Sequence, residues 1–154
     1  MIKTTNGIRL YDQLERLFAV IEYHEGQQLK QLKSEIESIF ADKKVSYIIV
    51  GKEKFREQLE KESNLFVSTK SLNLIGKWNN KANISMLKTT EKKFVIYLCH
   101  EYGKLVKKIR NSFDRAIHVG LKTEKMANFD LSFAIAEGKR NEFLNQTKKY
   151  LNKL

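Results

Sequence analysis

Three histidines (His24, His100, His118), one cysteine (Cys99) and a dense set of lysines are the residues of this chain that could do chemistry. His100 and His118, with Lys104 or Arg115 to steady a phosphate, have the make-up of an acid–base pair for RNA cleavage. Eighteen positions separate the two histidines. On one unbroken helix that is about 27 Å, and two groups serving one scissile phosphate must both come within hydrogen-bond reach of it. A ribonuclease or toxin using His100 or His118 therefore requires a helix break or a dimer. Cys99 and His100 are neighbours, which point about 100° apart on a helix, so they do not form a nucleophile–base dyad. Cys99 reads instead as a small apolar residue. CxxC, HxxxH and HExxH spacings are missing, and Gly76–Lys77 lacks the rest of a phosphate-binding loop. These features imply no catalytic residue, metal or cofactor.

The cations carry a stronger signal. If residues 90–119 form one helix, Lys93, His100, Lys104, Lys107, Lys108, Asn111, Arg115 and His118 cluster on one side of it, opposite an apolar stripe from Phe94 to Ala116. Cations and amides at that spacing suit a phosphate backbone, where each contact releases condensed counterions. The competing explanation is an ordinary solvated face. A second group is Lys77, Trp78 and Lys81, with Asn79 and Asn80 between them. There Trp78 could stack on an unpaired base while the lysines hold phosphates, or fold back onto the core beside Leu74 and Ile75.

The net charge of +11 includes 23 lysines against six arginines, and the chain has no proline. An AT-rich coding bias produces that profile and inflates basicity. It does not explain the distribution. Residues 1–63 balance eleven Lys/Arg with eleven Asp/Glu, whereas residues 64–154 carry 18 against 7. Such asymmetry marks a polyanion-facing surface.

The elements that must position these residues read mostly as helices. Apolar residues recur at three- and four-residue spacings over 8–42, either continuous or kinked at Gly26, and over 52–62, 90–119 and 128–153. Gly120 reads as the stop of the third helix. A β-type run covers 45–50, and short apolar pieces at 65–75 could pair with it. The expectation is an α+β fold, predominantly α-helical, with residues 1–154 forming one globular domain.

The single cysteine and the lack of a signal-peptide pattern point to the cytoplasm. No apolar stretch is long enough to span a bilayer, and no membrane partner is expected. The expected function is non-enzymatic binding of nucleic acid, RNA or single-stranded DNA ahead of duplex. The alternative is a small interaction protein, an inhibitor, regulator or assembly factor, that binds a nucleoprotein or an acidic protein surface. A homo-oligomer is compatible with either.

Overall fold

Leu17 to Ile21 and Phe94 to Tyr97 are buried at every position. A helix on the surface of a small domain exposes a residue in every turn, but a strand inside a parallel sheet is covered on both faces and reads as a continuous apolar run. In the computed structural model, which describes residues 9–79, 83–99, 103–122, 129–135 and 139–154, both runs are strands.

Among the described residues six strands form one sheet: β1 (Arg16–Glu22), β2 (Lys44–Val50), β3 (Leu65–Val67), β4 (Lys93–Leu98), β5 (Ala116–Leu121) and β6 (Leu131–Phe133). All adjacent pairs are parallel, in the order β3-β2-β1-β4-β5-β6. Five helices among the described residues accompany them: α1 (Leu10–Gln13), α2 (Leu29–Ile39), α3 (Arg56–Glu60), α4 (Lys104–Ser112) and α5 (Arg140–Lys153).

This is an α/β fold, which overturns the expectation of a predominantly helical α+β fold. The helix expected over 8–42 is α1, β1 and α2, with residue 8 outside the described residues. The one expected over 90–119 is β4, α4 and β5, and the one over 128–153 is β6 and α5. Over 52–62 the chain is helical, a 3-10 turn (Glu53–Phe55) running into α3, and the 45–50 run lies within β2. Of the 65–75 pieces only β3 is a strand, and a 3-10 turn (Thr69–Ser71) follows it.

The difference has one physical source. Val20, Ile21, Val95 and Ile96 sit in strands buried on both faces, where apolar residues fall at every spacing and so match a helical stripe as readily as a strand. The β-branched residues were the available discriminator. Gly26 lies in the β1–α2 turn at φ +85° rather than in a helix. Gly120 is a strand residue, and a Cβ there would lie 2.3 Å from the Phe129 ring, so only glycine leaves room for that ring.

Alternation along the strands splits the core in two. Leu17, Ala19, Ile21, Ile49, Phe94, Ile96 and Val119 face a layer made of α1, α2, α3 and α5. Phe18, Val20, Ile48, Val95 and Tyr97 face the other layer, whose buried residues include Leu87 from the chain between β3 and β4 and Val106 and Ile109 from α4. The β3–β4 connection is irregular, with a second 3-10 turn at Ser85–Lys88. Among the described residues no helix is long and apolar enough to cross a membrane.

Candidate nucleic-acid interface

The chain between β3 and β4 and the helix α4 are stitched together at both ends. Near the start of α4, a methyl built on Gly76 would lie 3.9 Å from Lys104 Cε and 4.0 Å from its Nζ. Beside the last turn of α4, Trp78 Nε1 donates to Ser112 Oγ at 2.8 Å, and Ser112 Oγ donates to the Lys108 carbonyl at 2.7 Å. Just past the helix, the Asp114 amide donates to the Leu87 carbonyl at 3.3 Å. The two segments therefore form one surface over one face of the sheet.

The charge of that surface is mostly positive, with the exposed Asp114 as the acid beside Arg115. Residues 63–90 contain Lys70, Lys77, Lys81 and Lys88 and no Asp or Glu, and residues 103–113 contain Lys104, Lys107, Lys108 and Arg110 and again no acid. On the opposite layer, Glu35, Glu37, Glu57, Glu60 and Glu142 intersperse with the cations of α2, α3 and α5. Lys104, Lys107 and Asn111 lie at i, i+3 and i+7 on α4 and are all exposed, with Lys108 half-buried beside them. Arg115 continues the row past the helix end. It is exposed and held at φ +52°, a left-handed conformation that strains a side chain bearing a Cβ. The Leu87–Asp114 bond brings Lys88 to that same end.

The remaining expected residues are placed differently. Lys93 is fully buried in β4, where its Nζ donates to the Thr89 carbonyl at 2.7 Å, and burial pulls its pKa down. It cannot meet a phosphate. His118 is buried in β5, with Nδ1 2.7 Å from Tyr97 Oη and the Phe113 and Tyr97 rings against it. Burial first, and the Arg110 charge second, push its pKa down to about 4, so its ring is neutral at pH 7. The stripe expected on a 90–119 helix does not exist, because strand alternation sends Lys93 and His118 inward from the sheet. His100 and Lys81 lie outside the described residues. Trp78 is half-buried against the core, its Nε1 taken by Ser112, so it belongs to the layer's own packing rather than to a free stacking platform. Lys77 is exposed near Lys104.

Lys70, Lys88 and Arg110 were absent from the expected set. The signal that marks them is the pair of acid-free stretches, 63–90 and 103–113.

Two other places could hold a ligand. In a sheet of this order the chain reverses direction between β1 and β4, and ligands commonly sit beyond the carboxyl ends of those strands. The turn after β1 has Gly26 as its single glycine, so it lacks the glycine-rich backbone that approaches a pyrophosphate. A cavity of about 560 Å³ lies beside β3, lined by Glu53, Arg56, Asn64, Lys70, Asn79 and Asn83 among others. Its guanidinium is committed: Arg56 Nε bonds Glu53 at 2.5 Å, Nη1 bonds Glu60 at 2.9 Å, and Nη2 bonds Glu53 at 3.0 Å and Ser68 at 3.3 Å. The Arg56 bonds, with Ser68 adding its own, hold the Glu53 carboxyl at about 2. That network ties the Glu53–Phe55 turn and α3 to Ser68 at the end of β3 and leaves Arg56 little capacity for an anion. Among the described residues no cluster of three His, Cys, Asp or Glu is disposed to hold a metal.

Protein-family models, curated proteins and solved structures were compared with the chain, and none matches it.

Proposed function

We propose that this protein binds nucleic acid, RNA or single strands ahead of duplex, along the cationic layer formed by α4 and the β3–β4 connection. The observation that carries this reading is the absence of any acid from residues 63–90 and 103–113, which include the described residues of the β3–β4 connection and of α4 over one face of the sheet. A coding bias toward lysine does not by itself remove carboxylates from these two stretches and leave them in α2, α3 and α5. Lys77 and Lys104 stand at one end of α4, and Lys88 and Arg115 at the other. The nine residues of α4 span about 13 Å, enough for three or four phosphates at about 3.4 Å per nucleotide. Backbone phosphates would be held by Lys77, Lys104, Lys107 and Arg115, with Asn111 donating beside them.

The buried, neutral His118 argues against a nuclease that uses this ring as its surface acid or base. The second reading, a protein partner with an acidic face or a bound nucleic acid, uses the same layer and stands if no strand binds.

The test is affinity for RNA, single-stranded DNA and duplex DNA across a salt series. For a single strand on four cations, log K should fall against log salt with a slope of about −3. A salt-independent affinity, or no binding at low salt, would remove nucleic acid as the partner and favour the protein.

A further inference from the structure

Leu74 and Ile75 are the large apolar side chains that the described residues leave most open to water, at 108% and 76% of full exposure. Such residues cost solubility and normally fold inward. Here the local backbone prevents it. Asn73 Oδ1 accepts the Ile75 amide at 3.1 Å and the Lys77 amide at 3.0 Å, and the Asn73 amide donates back to the Lys77 carbonyl at 2.7 Å. Gly76 takes φ +80° to close the turn, and Leu72 bridges to Trp78 behind it. Trp78 is in turn anchored on Ser112 of α4. The turn is thus braced from behind, and its two aliphatic side chains are held out.

The surroundings of this turn are cationic. Lys70 and Lys77 flank it in the chain, and Lys104 approaches Gly76 within it. An apolar tip set among cations fits a ligand whose anionic and apolar parts lie side by side. A single strand of nucleic acid has that alternation, phosphates along its backbone and exposed base faces beside them. An anionic lipid surface shares it in part. The cations, however, do not stop at the tip. They continue along α4 from Lys104 to Arg115 and Lys88, a helix about 13 Å long and so longer than the roughly 8 Å over which a surface charge acts at physiological salt. A bilayer entered by the tip would leave that end unused, whereas a strand can follow it.

We infer that the Leu74–Ile75 turn is the seat for an unpaired base at the head of the phosphate track along α4. This rests on the strand-binding role proposed above. It replaces Trp78 by Leu74 and Ile75 as the base-contacting group, and it gives the cationic layer a reason to prefer single strands. Aliphatic side chains pack against base faces without reading their edges, so the seat should be tolerant of sequence.

The experiment compares a labelled oligouridine with an equally long strand whose residues are abasic, binding each to the wild-type protein and to L74S/I75S. Both substituted positions are exposed, so the thermal midpoint should not change. The base-bearing strand should bind the wild type about tenfold more tightly than the abasic one, and L74S/I75S should erase that difference while leaving the abasic affinity and the salt slope as they were. Equal wild-type affinity for the two strands overturns the base seat and leaves the phosphate track standing. Failure of both strands to bind at low salt overturns the track itself. Vesicles of phosphatidylglycerol form the third arm: binding to them that L74S/I75S abolishes, without binding to either strand, assigns the turn to a lipid surface instead.

Discussion

Tyr97 Oη and His118 Nδ1 lie 2.7 Å apart beneath the cationic layer, one on β4 and the other on β5. Phe129 closes the pocket, with its ring 5.1 Å from that of Tyr97 and its edge occupying the space that a side chain at position 120 would need. Burial, reinforced by the Arg110 charge above, keeps the imidazole neutral.

That arrangement makes stability depend on pH in a defined direction. The folded-state pKa of His118, about 4, lies below the ordinary value of 6.5, so the unfolded chain binds the extra proton first. Stability is full above pH 6.5 and declines as pH falls to about 4, by at most about 3 kcal/mol from this residue. Urea midpoints measured from pH 7 to 4 should show the decline, and H118Q should flatten it. An H118Q profile parallel to wild type would remove His118 as its source.

Gly120→Ala should destabilise by about 1–3 kcal/mol, because the new methyl meets the Phe129 ring at 2.3 Å and the ring must leave Tyr97. Thermal melts of G120A, F129A and the double variant decide this. In the double variant the cost of G120A should largely vanish, and a cost that persists without the ring would place the strain elsewhere.

Trp78 and Ser112 should be coupled. Removing the indole donor in W78F or the acceptor in S112A should each cost about 1 kcal/mol, with the double variant costing less than the sum. Strand affinity should be nearly unchanged in S112A. A loss of affinity there without a loss of stability would return Trp78 to the role of a stacking group.

These positions also show how much of the molecule was legible in the sequence. The run at 45–50 and the helical character of 52–62 were readable, because Val45–Val50 is rich in β-branched residues and Phe55 and Leu59 keep a helical spacing. The other strands were not. Phe94 and Leu98 are four apart and match a helix, yet both point to one face of β4 with Ile96 between them. Lys93 and His118 share a face only on that false helix, and their burial depends on long-range pairing between β4 and β5 that local periodicity cannot report. Lys104, Lys107, Lys108 and Asn111 are in a real helix, so their shared face was predictable from spacing alone. The exposure of Leu74 and Ile75 was not, since it depends on the Asn73 bonds and on the Trp78 anchor.

Arg115 should show a trade between stability and binding. Replacing it with glycine relieves the left-handed strain at φ +52° and should leave stability unchanged or raise it by up to about 1 kcal/mol. The same variant removes a cation from the foot of the track and should weaken single-strand binding several-fold at low salt. A stabilised R115G with undiminished affinity would exclude Arg115 from the interface.

The central claim is that one layer of the sheet, and not the net charge of the chain, meets the polyanion. Two variants with the same charge change test it most directly: K104E/K107E on α4, and K149E/K153E on the exposed side of α5 in the opposite layer. Single-stranded RNA affinity should fall at least tenfold in K104E/K107E, with a salt slope flatter by about 1.4, and remain close to wild type in K149E/K153E. Equal losses in the two variants would contradict the account, because they would show that only the overall charge is sensed.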